Sequence, residues 1–404
     1  MKNSSIRFIV GLLLVIGLVA VAGNALANVA ANTAIINQAT LSYDDGDGLK
    51  EAIAYVEVTV LLVPNAPIVD PGPDQETYYN GPNTELTNSF YVTATANGPD
   101  YYDVTTQIIA SSIDNTTNPT ATVDVASIYL GATLTFDDSS TTTSIVVPAD
   151  GVADDEVNGI EEGDIVVIGN ETIEVASVDD NASGTSTIYL VTALDTAPDA
   201  GVLVAEKQTV TVTVTAGTIA TIGTDITFEK TLTVTSQEDG DESTTSDPVQ
   251  DTYLSGKATL GKYVRNVTSG VVGDAPQTTY DGEEFYQSGV TAEPGDILEY
   301  MLVARNSGSG PVDTAEVNDV LPIDFVSLLT SVADYANNAV LYDDGTNTPV
   351  TYTAAANGDA ATYVSATGTL TVVIDSDTTV AGADGIIDGD QTVFILYRVQ
   401  LNND

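Results

Sequence analysis

The sequence predicts an all-β chain, and three observations carry that prediction. Apolar and polar residues alternate in short runs, the period of a half-buried strand. The runs are Ala34 to Tyr43, Ala54 to Val63, Ser89 to Ala96, Gln208 to Thr215, Thr231 to Thr235, Leu298 to Ala304, Gly368 to Ile374 and Thr392 to Val399. Thr, Val, Ile and Tyr dominate them, as expected of side chains that fit a pleated surface. Turn clusters separate the runs, among them Asp44-Asp45-Gly46-Asp47-Gly48, Asp70-Pro71-Gly72-Pro73-Asp74, Asn306-Ser307-Gly308-Ser309-Gly310 and Asp344-Gly345. Sustained helical periodicity is missing, and only Phe325 to Tyr335 could hold a turn or two of helix. The expected architecture is tandem immunoglobulin-like antiparallel β-sandwiches with a small inserted β-meander.

Composition narrows the chemistry. The 404 residues hold 58 acidic and 10 basic side chains with no His and no Cys, a formal charge of −48. Without His or Cys there is no Ser-His-Asp triad, no thiolate nucleophile, no N/S zinc site and no disulfide. Nucleic acid and anionic lipid headgroups are excluded as partners, because counterion release needs clustered Lys and Arg. Charged residues are 17% and hydrophobic residues 43% of the chain, so it can bury a core. Paired carboxylates are inevitable among so many acids, and no nucleophile elbow or phosphate loop accompanies them. An enzyme is not expected.

Residues 1–27 read as a signal peptide. Lys2 and Arg7 form a basic start, Phe8 to Ala22 an apolar run, and Ala25-Leu26-Ala27 a small-residue cleavage site. Export to the extracellular space or cell surface follows, with no membrane association after removal. Residues 28–64 form a strand pair, and the Pro-rich stretch Pro64 to Pro73 separates it from a β-sandwich spanning 65–253. Within that sandwich a β-subdomain is inserted at about 152–203, around Asn158-Gly159-Ile160-Glu161-Glu162-Gly163-Asp164 and the strand Ile165 to Ile168. A last sandwich covers 254–404, after the acidic Ser/Thr-rich segment Ser236 to Asp251.

That last domain carries Glu293-Pro294-Gly295-Asp296, the strand Ile297 to Arg305, Asn306-Ser307-Gly308 and then Val317-Asn318-Asp319-Val320-Leu321-Pro322. The order resembles a secreted bacterial and archaeal surface-protein repeat, the family called domain of unknown function eleven. The resemblance covers roughly residues 257–400 and implies a β-sandwich displayed outside the cell, without catalysis. Thr33 to Tyr43, an acidic Gly turn and Ala54 to Val63 resemble the two closing strands of the same repeat. In a complete repeat such a pair follows a strand like Thr392 to Val399. The sequence stops at Asp404 where the pair is due. The C-terminal domain is thus expected to lack its last strands, and the N-terminus to supply an unattached pair.

Two strands alone are marginal in water. Alternation places Ile35, Asn37, Ala39, Leu41 and Tyr43 on one face. Burying Ile35, Leu41 and Tyr43 and forming a ladder could contribute on the order of 10–14 kcal/mol, similar to the cost of association, so further contacts are needed for a durable joint. Three placements stay open: docking within the chain, donation to a neighbouring copy, or no docking. Donation is heterologous and does not close, so it generates a head-to-tail homopolymer. Ile297, Met301 and Val303 form an outward apolar face of their strand and are a second candidate contact.

Three acidic Gly-bent loops are candidate calcium sites, since calcium takes six to eight oxygens. They contain Asp44, Asp45 and Asp47; Asp154, Glu156 and Asn158; and Asp384, Asp388 and Asp390. The second begins like an EF-hand, but its twelfth position is Ile165. The function expected from the sequence is an exported, non-catalytic structural protein, the subunit of an extracellular filament or surface matrix built by N-terminal strand donation. The alternative is a monomeric calcium-stabilised adhesin that binds other surface proteins or a polysaccharide. Whether Lys257 or Lys262 enters an isopeptide cross-link is not decided by the sequence.

Overall fold

The computed structural model describes residues 29–112, 116–219, 223–356, 358–379 and 382–403. The leader read at 1–27 lies outside them. The described chain is almost entirely β, with one three-residue 3-10 helix, Ala333–Tyr335, where a longer helical turn was expected within Phe325 to Tyr335.

The first two strands, Ala34–Asp44 and Leu49–Thr59, pair antiparallel from Ala34 opposite Thr59 to Asp44 opposite Leu49. Gly46 and Gly48, both at positive φ, close the turn. The next unit is a two-layer sandwich. One layer centres on the strands Glu85–Thr93 and Leu203–Thr215, the other on Asp100–Ser111 and Ile226–Ser236. Phe90, Val92, Val210 and Val212 meet Tyr102, Val104, Leu232 and Val234 between the layers.

Purely antiparallel sheets were expected, and one pairing departs from that. Gln75–Tyr78 runs parallel to Val249–Leu254, with Gln75 opposite Asp251 and Tyr78 opposite Leu254. The crossing at Pro71-Gly72-Pro73 carries the chain from one layer to the other. At Gly72 an added Cβ would stand 2.7 Å from the Ser89 carbonyl oxygen, so the bend requires glycine.

The inserted meander has its own core of Val157, Ile160, Val166, Ile168, Ile173, Val175 and Ile188. That core also takes in Ile145 and Val147, upstream of residue 152. The long Leu203–Thr215 strand joins meander to sandwich, pairing first with Ile165–Ile168 and then with Glu85–Thr93.

The C-terminal sandwich has unequal layers. One sheet runs Ala258–Asn266, Ile297–Asn306, Thr392–Leu401, Val340–Asp343, Val350–Tyr352; the other holds Glu316–Val320, Thr369–Val373 and Ala361–Val364. The turn residues singled out in the sequence hold it together. The fully buried Asn306 donates from Nδ2 to the carbonyls of Gly310 (2.7 Å) and Ile387 (3.0 Å) and accepts from the Lys257 backbone N–H (2.8 Å). Gly308 approaches the Ser255 carbonyl so closely that a Cβ would stand 2.0 Å from it. Asp296 accepts from Asn266 Nδ2 (2.9 Å) and from the Glu293 backbone (3.0 Å).

Glu206 sits where the joining strand passes from meander to sandwich. Its Oε2 accepts the Gly131 N–H at 2.6 Å, and its Oε1 accepts from Gln208 Nε2 at 2.6 Å. Burial pushes its pKa from 4.5 up to about 7. The folded chain therefore holds a proton that the unfolded chain releases. The stability this contributes is complete below about pH 4.5 and is lost as pH rises through 7. Between pH 5 and 8 the wild type is expected to lose about 2–3 kcal/mol from this group, and Glu206→Gln to lose correspondingly less. Urea melts of both proteins at the two pH values check this, and equal losses would refute it.

Candidate interface: an exposed ribbon and an open sheet edge

The ribbon 34–59 pairs with nothing but itself among the described residues, and every residue of both strands is exposed. Its two faces differ. Because residues directly opposite share a face, Ile35, Asn37, Ala39, Leu41 and Tyr43 lie with Val58, Val56, Ala54, Ala52 and Lys50. That face is apolar except for Asn37 and Lys50 and contains no acid; the other carries Asp44, Glu51 and Glu57. On the apolar face Ile35 is 47%, Leu41 63% and Val58 58% exposed. A contiguous apolar surface of this kind, on a strand pair with free backbone on both outer edges, is a template for addition to another sheet.

The root of the ribbon is firmly held. Asn97, itself buried, donates from Nδ2 to the carbonyls of Val29 (3.1 Å) and Leu61 (3.3 Å) and accepts the Val63 N–H at 2.7 Å. Its own carbonyl accepts the Ala31 N–H at 2.8 Å. Ala30 and Ala31 are buried beside it, and a Cβ at Gly98 would stand 2.4 Å from that of Ala31. The ribbon therefore projects from a fixed base on its own sandwich. An isolated Asn before Gly carries no signal beyond a turn, so sequence reasoning missed this clamp.

The second candidate contact is corrected by the structure. Met301 is fully buried, and Ile297 and Val303 are half-buried. The outer face of their strand is roofed by the hairpin Thr278–Tyr280/Glu283–Phe285 and by the segment reaching Tyr335, which pack Phe285, Val332 and Tyr335 against Met301 and Leu396. Glu299, on the same outer face, is buried between Arg265 and Arg398 (2.7 Å to Arg398 Nε), which pin the roof through Glu283 and Asp334. This face is interior.

An open place lies instead on the inner face. Leu260, Lys262 and Val264 share the sandwich-facing side with Leu298 and Tyr300 of the neighbouring strand. Yet Leu260 is 57% exposed, and Leu298 and Tyr300 are only half-buried. The facing layer stops short of them at Glu316–Val320, which pairs only with Thr369–Val373 among the described residues. Lys262 reaches across the gap to Asp319 Oδ1 at 2.6 Å and lies 4.9 Å above the Tyr300 ring. Asp319 also accepts from the buried Tyr397 hydroxyl. The larger layer has six strands but is five wide, since Val326–Leu328 and Val340–Asp343 both pair with Thr392–Leu401, and it faces a three-stranded one, with an edge strand and apolar inner residues left uncovered.

The carboxylates of the candidate calcium loops are taken up in part by their own turns. Asp44 and Asp45 accept the N–H groups of Gly46 and Asp47, and Asp45 pairs with Lys50. Asp154 accepts from Glu156, whose carboxyl is pushed up by burial, and Asn158 is buried against Thr133. Asp384 caps Ser376 and Ile386, while Asp388 and Asp390 engage through their backbone. Among the described residues no three acidic side chains converge as a metal site, and no helix is long and apolar enough to cross a membrane.

Asn97→Ala is expected to release the root, leaving the Val63 N–H and the Val29 and Leu61 carbonyls without this partner. The loss is about 1–3 kcal/mol, read as faster proteolytic cleavage between residues 29 and 63. Unchanged cleavage would refute the clamp.

No family model matches the chain, and no curated protein matches it. Among solved structures, BspA_C_WT is similar at 11% identity over 82% of this chain and 87% of that one, with a TM-score of 0.30. The C-terminal domain of the Streptococcus pyogenes antigen I/II-family protein AspA is similar at 12% identity over 84% and 91%, with a TM-score of 0.30. BcpA, the major pilin subunit of Bacillus cereus, is similar at 12% identity over 66% of each chain, with a TM-score of 0.19. Likenesses this remote carry no functional argument, and the all-β architecture stands on the strand pairing described above.

Proposed function

We propose that the chain is an exported, non-catalytic structural protein that polymerises head to tail at the cell surface or beyond it. The ribbon 34–59 of one subunit adds to the Glu316–Val320 edge in the C-terminal domain of the next. The observation that carries this reading is the ribbon itself: a largely apolar face running the length of two eleven-residue strands, held at its root and covered by none of the described residues. A two-stranded addition gives the three-stranded layer five strands, matching the width of the layer it faces. It sets Ile35, Leu41, Tyr43, Val56 and Val58 over Leu260, Leu298 and Tyr300. The second strand of the ribbon supplies the further burial that a single donated strand lacks, since each fully buried large apolar side chain contributes about 1.5–3 kcal/mol. Donor and acceptor are different surfaces of one subunit, so the contact repeats without closing.

Charge sets the conditions. Subunits that each carry −48 repel at long range, and a Debye length near 30 Å at 0.01 M salt shrinks to about 10 Å at 0.1 M. Fibre formation is expected to accelerate with ionic strength across that range.

Electron microscopy of four variants tests the proposal. Replacing 34–59 by a short Gly linker between Thr33 and Val60, whose backbones already exchange a 3.0 Å hydrogen bond, should leave a monomer with nearly unchanged melting and no fibres. Leu41→Glu with Val58→Glu should abolish fibres, while Ile36→Glu with Tyr55→Glu on the opposite face should retain them. Leu260→Glu should act at the acceptor with little effect on melting. Normal fibres from the ribbonless protein would sink donation as the joint, and dispersed particles from the wild type would leave a monomeric adhesin.

A further inference from the structure

The first sandwich contains a polar group that its core does not explain. Lys230, one of only 10 basic residues, is completely buried, and its Nζ lies 2.5 Å from Oδ2 of the equally buried Asp251. The two occupy adjacent strands, Ile226–Ser236 and Val249–Leu254, and face inward. Asn88 faces inward from Glu85–Thr93 in the opposite layer and is also buried. Its carboxamide lies near enough to bear on the Asp251 carboxyl, and its Nδ2 donates to the Pro73 carbonyl at 3.2 Å. Two oxygens of the group, Asn88 Oδ1 and Asp251 Oδ1, are buried without a hydrogen-bond partner. A buried polar network left half satisfied costs stability, so its retention calls for a use.

We propose that Lys230 and Asn88 form an intramolecular amide cross-link between the two layers, with Asp251 as the acid and base of the reaction. Burial pushes the Lys230 amine down and the Asp251 carboxyl up, both toward the neutral forms the step requires, against their mutual attraction. The neutral Nζ attacks Cγ of Asn88 while the Asp251 carboxylic acid protonates Oδ1, the orphaned atom on which negative charge develops. Asp251 then takes the proton from the attacking nitrogen and delivers it to the leaving nitrogen. The C–Nδ2 bond breaks and ammonia departs, and the re-forming carbonyl hands the Oδ1 proton back to Asp251, which returns to its starting acid form. No oxidant, metal or second substrate enters the balance. The lysines near the domain junction are poorer donors: Lys257 is exposed, and Lys262, paired with Asp319, is 43% exposed.

Intact-mass spectrometry of the purified protein decides this, followed by fragmentation of a protease digest. The expected mass is one ammonia below that of the sequence, with a branched peptide joining Asn88 to Lys230. Asp251→Asn should restore the full sequence mass and melt several degrees lower than the wild type. A wild type at full sequence mass overturns the proposal, as does a deficit of one water mapped to a Lys230–Asp251 bond. An Asp251→Asn protein that still lacks one ammonia refutes the role given to Asp251. The wild-type spectrum alone is decisive even if that variant fails to fold.

Discussion

A two-stranded ribbon cannot bury its own apolar face, and most of what this molecule does follows from that constraint. Each strand has one partner, so half of the backbone groups and one whole face stay in water. Evolution usually blunts such an element with charge or with Pro. Here the acids sit on the opposite face and at the turn, at Asp44, Asp45, Asp47, Glu51 and Glu57, while the face bearing Leu41 and Val58 is kept free of them. The sorting of charge to one side is what a surface designed to be covered requires.

The C-terminal sandwich shows the complementary fault. A sandwich five strands wide in one layer and three in the other must expose part of the larger layer's inner face, and the exposed part is the Leu260, Leu298 and Tyr300 surface. Lys262 spans the gap as a partial stopgap, pairing with Asp319 while its stem covers Tyr300. A long amphipathic side chain of this type covers apolar surface while its head stays wet.

How much of this was legible depended on how local each signal was. The ribbon was legible because a period of two is written in consecutive residues, and the Asn306-Ser307-Gly308 and Pro294-Gly295-Asp296 turns because backbone geometry demands those residue types. The roof over Met301 was not, since its strands are only three residues long and its packing joins residues distant in sequence, Phe285 and Tyr335. The parallel Gln75–Tyr78 strand was hidden by the prolines that precede it. Lys230 was legible in principle: Phe228, Lys230, Leu232 and Val234 fall on one face, so the alternation that predicts the strand also turns a charged side chain inward. What the sequence could not supply was Asn88, which reaches Asp251 from the other layer.

The parallel pairing and the cross-link acquire a common sense once the molecule is taken as a link in a chain under tension. Load from the ribbon enters through Val63 and the strands Ile68–Pro71 and Gln75–Tyr78, and it leaves toward the C-terminal domain through Val249–Leu254. Gln75–Tyr78 and Val249–Leu254 lie side by side and parallel, so pulling the first from its start and the second from its end slides one past the other. All of their hydrogen bonds then resist together, whereas an antiparallel pair pulled from one end would open them one at a time. Asp74 adds a further tie, accepting the Gln250 N–H at 2.8 Å at the head of this clamp. The clamp lies in the layer that holds Lys230, and the layer that receives the ribbon's load holds Asn88. A bond between those two residues therefore staples the entry layer to the exit layer, in a chain with no cysteine to do the same by disulfide.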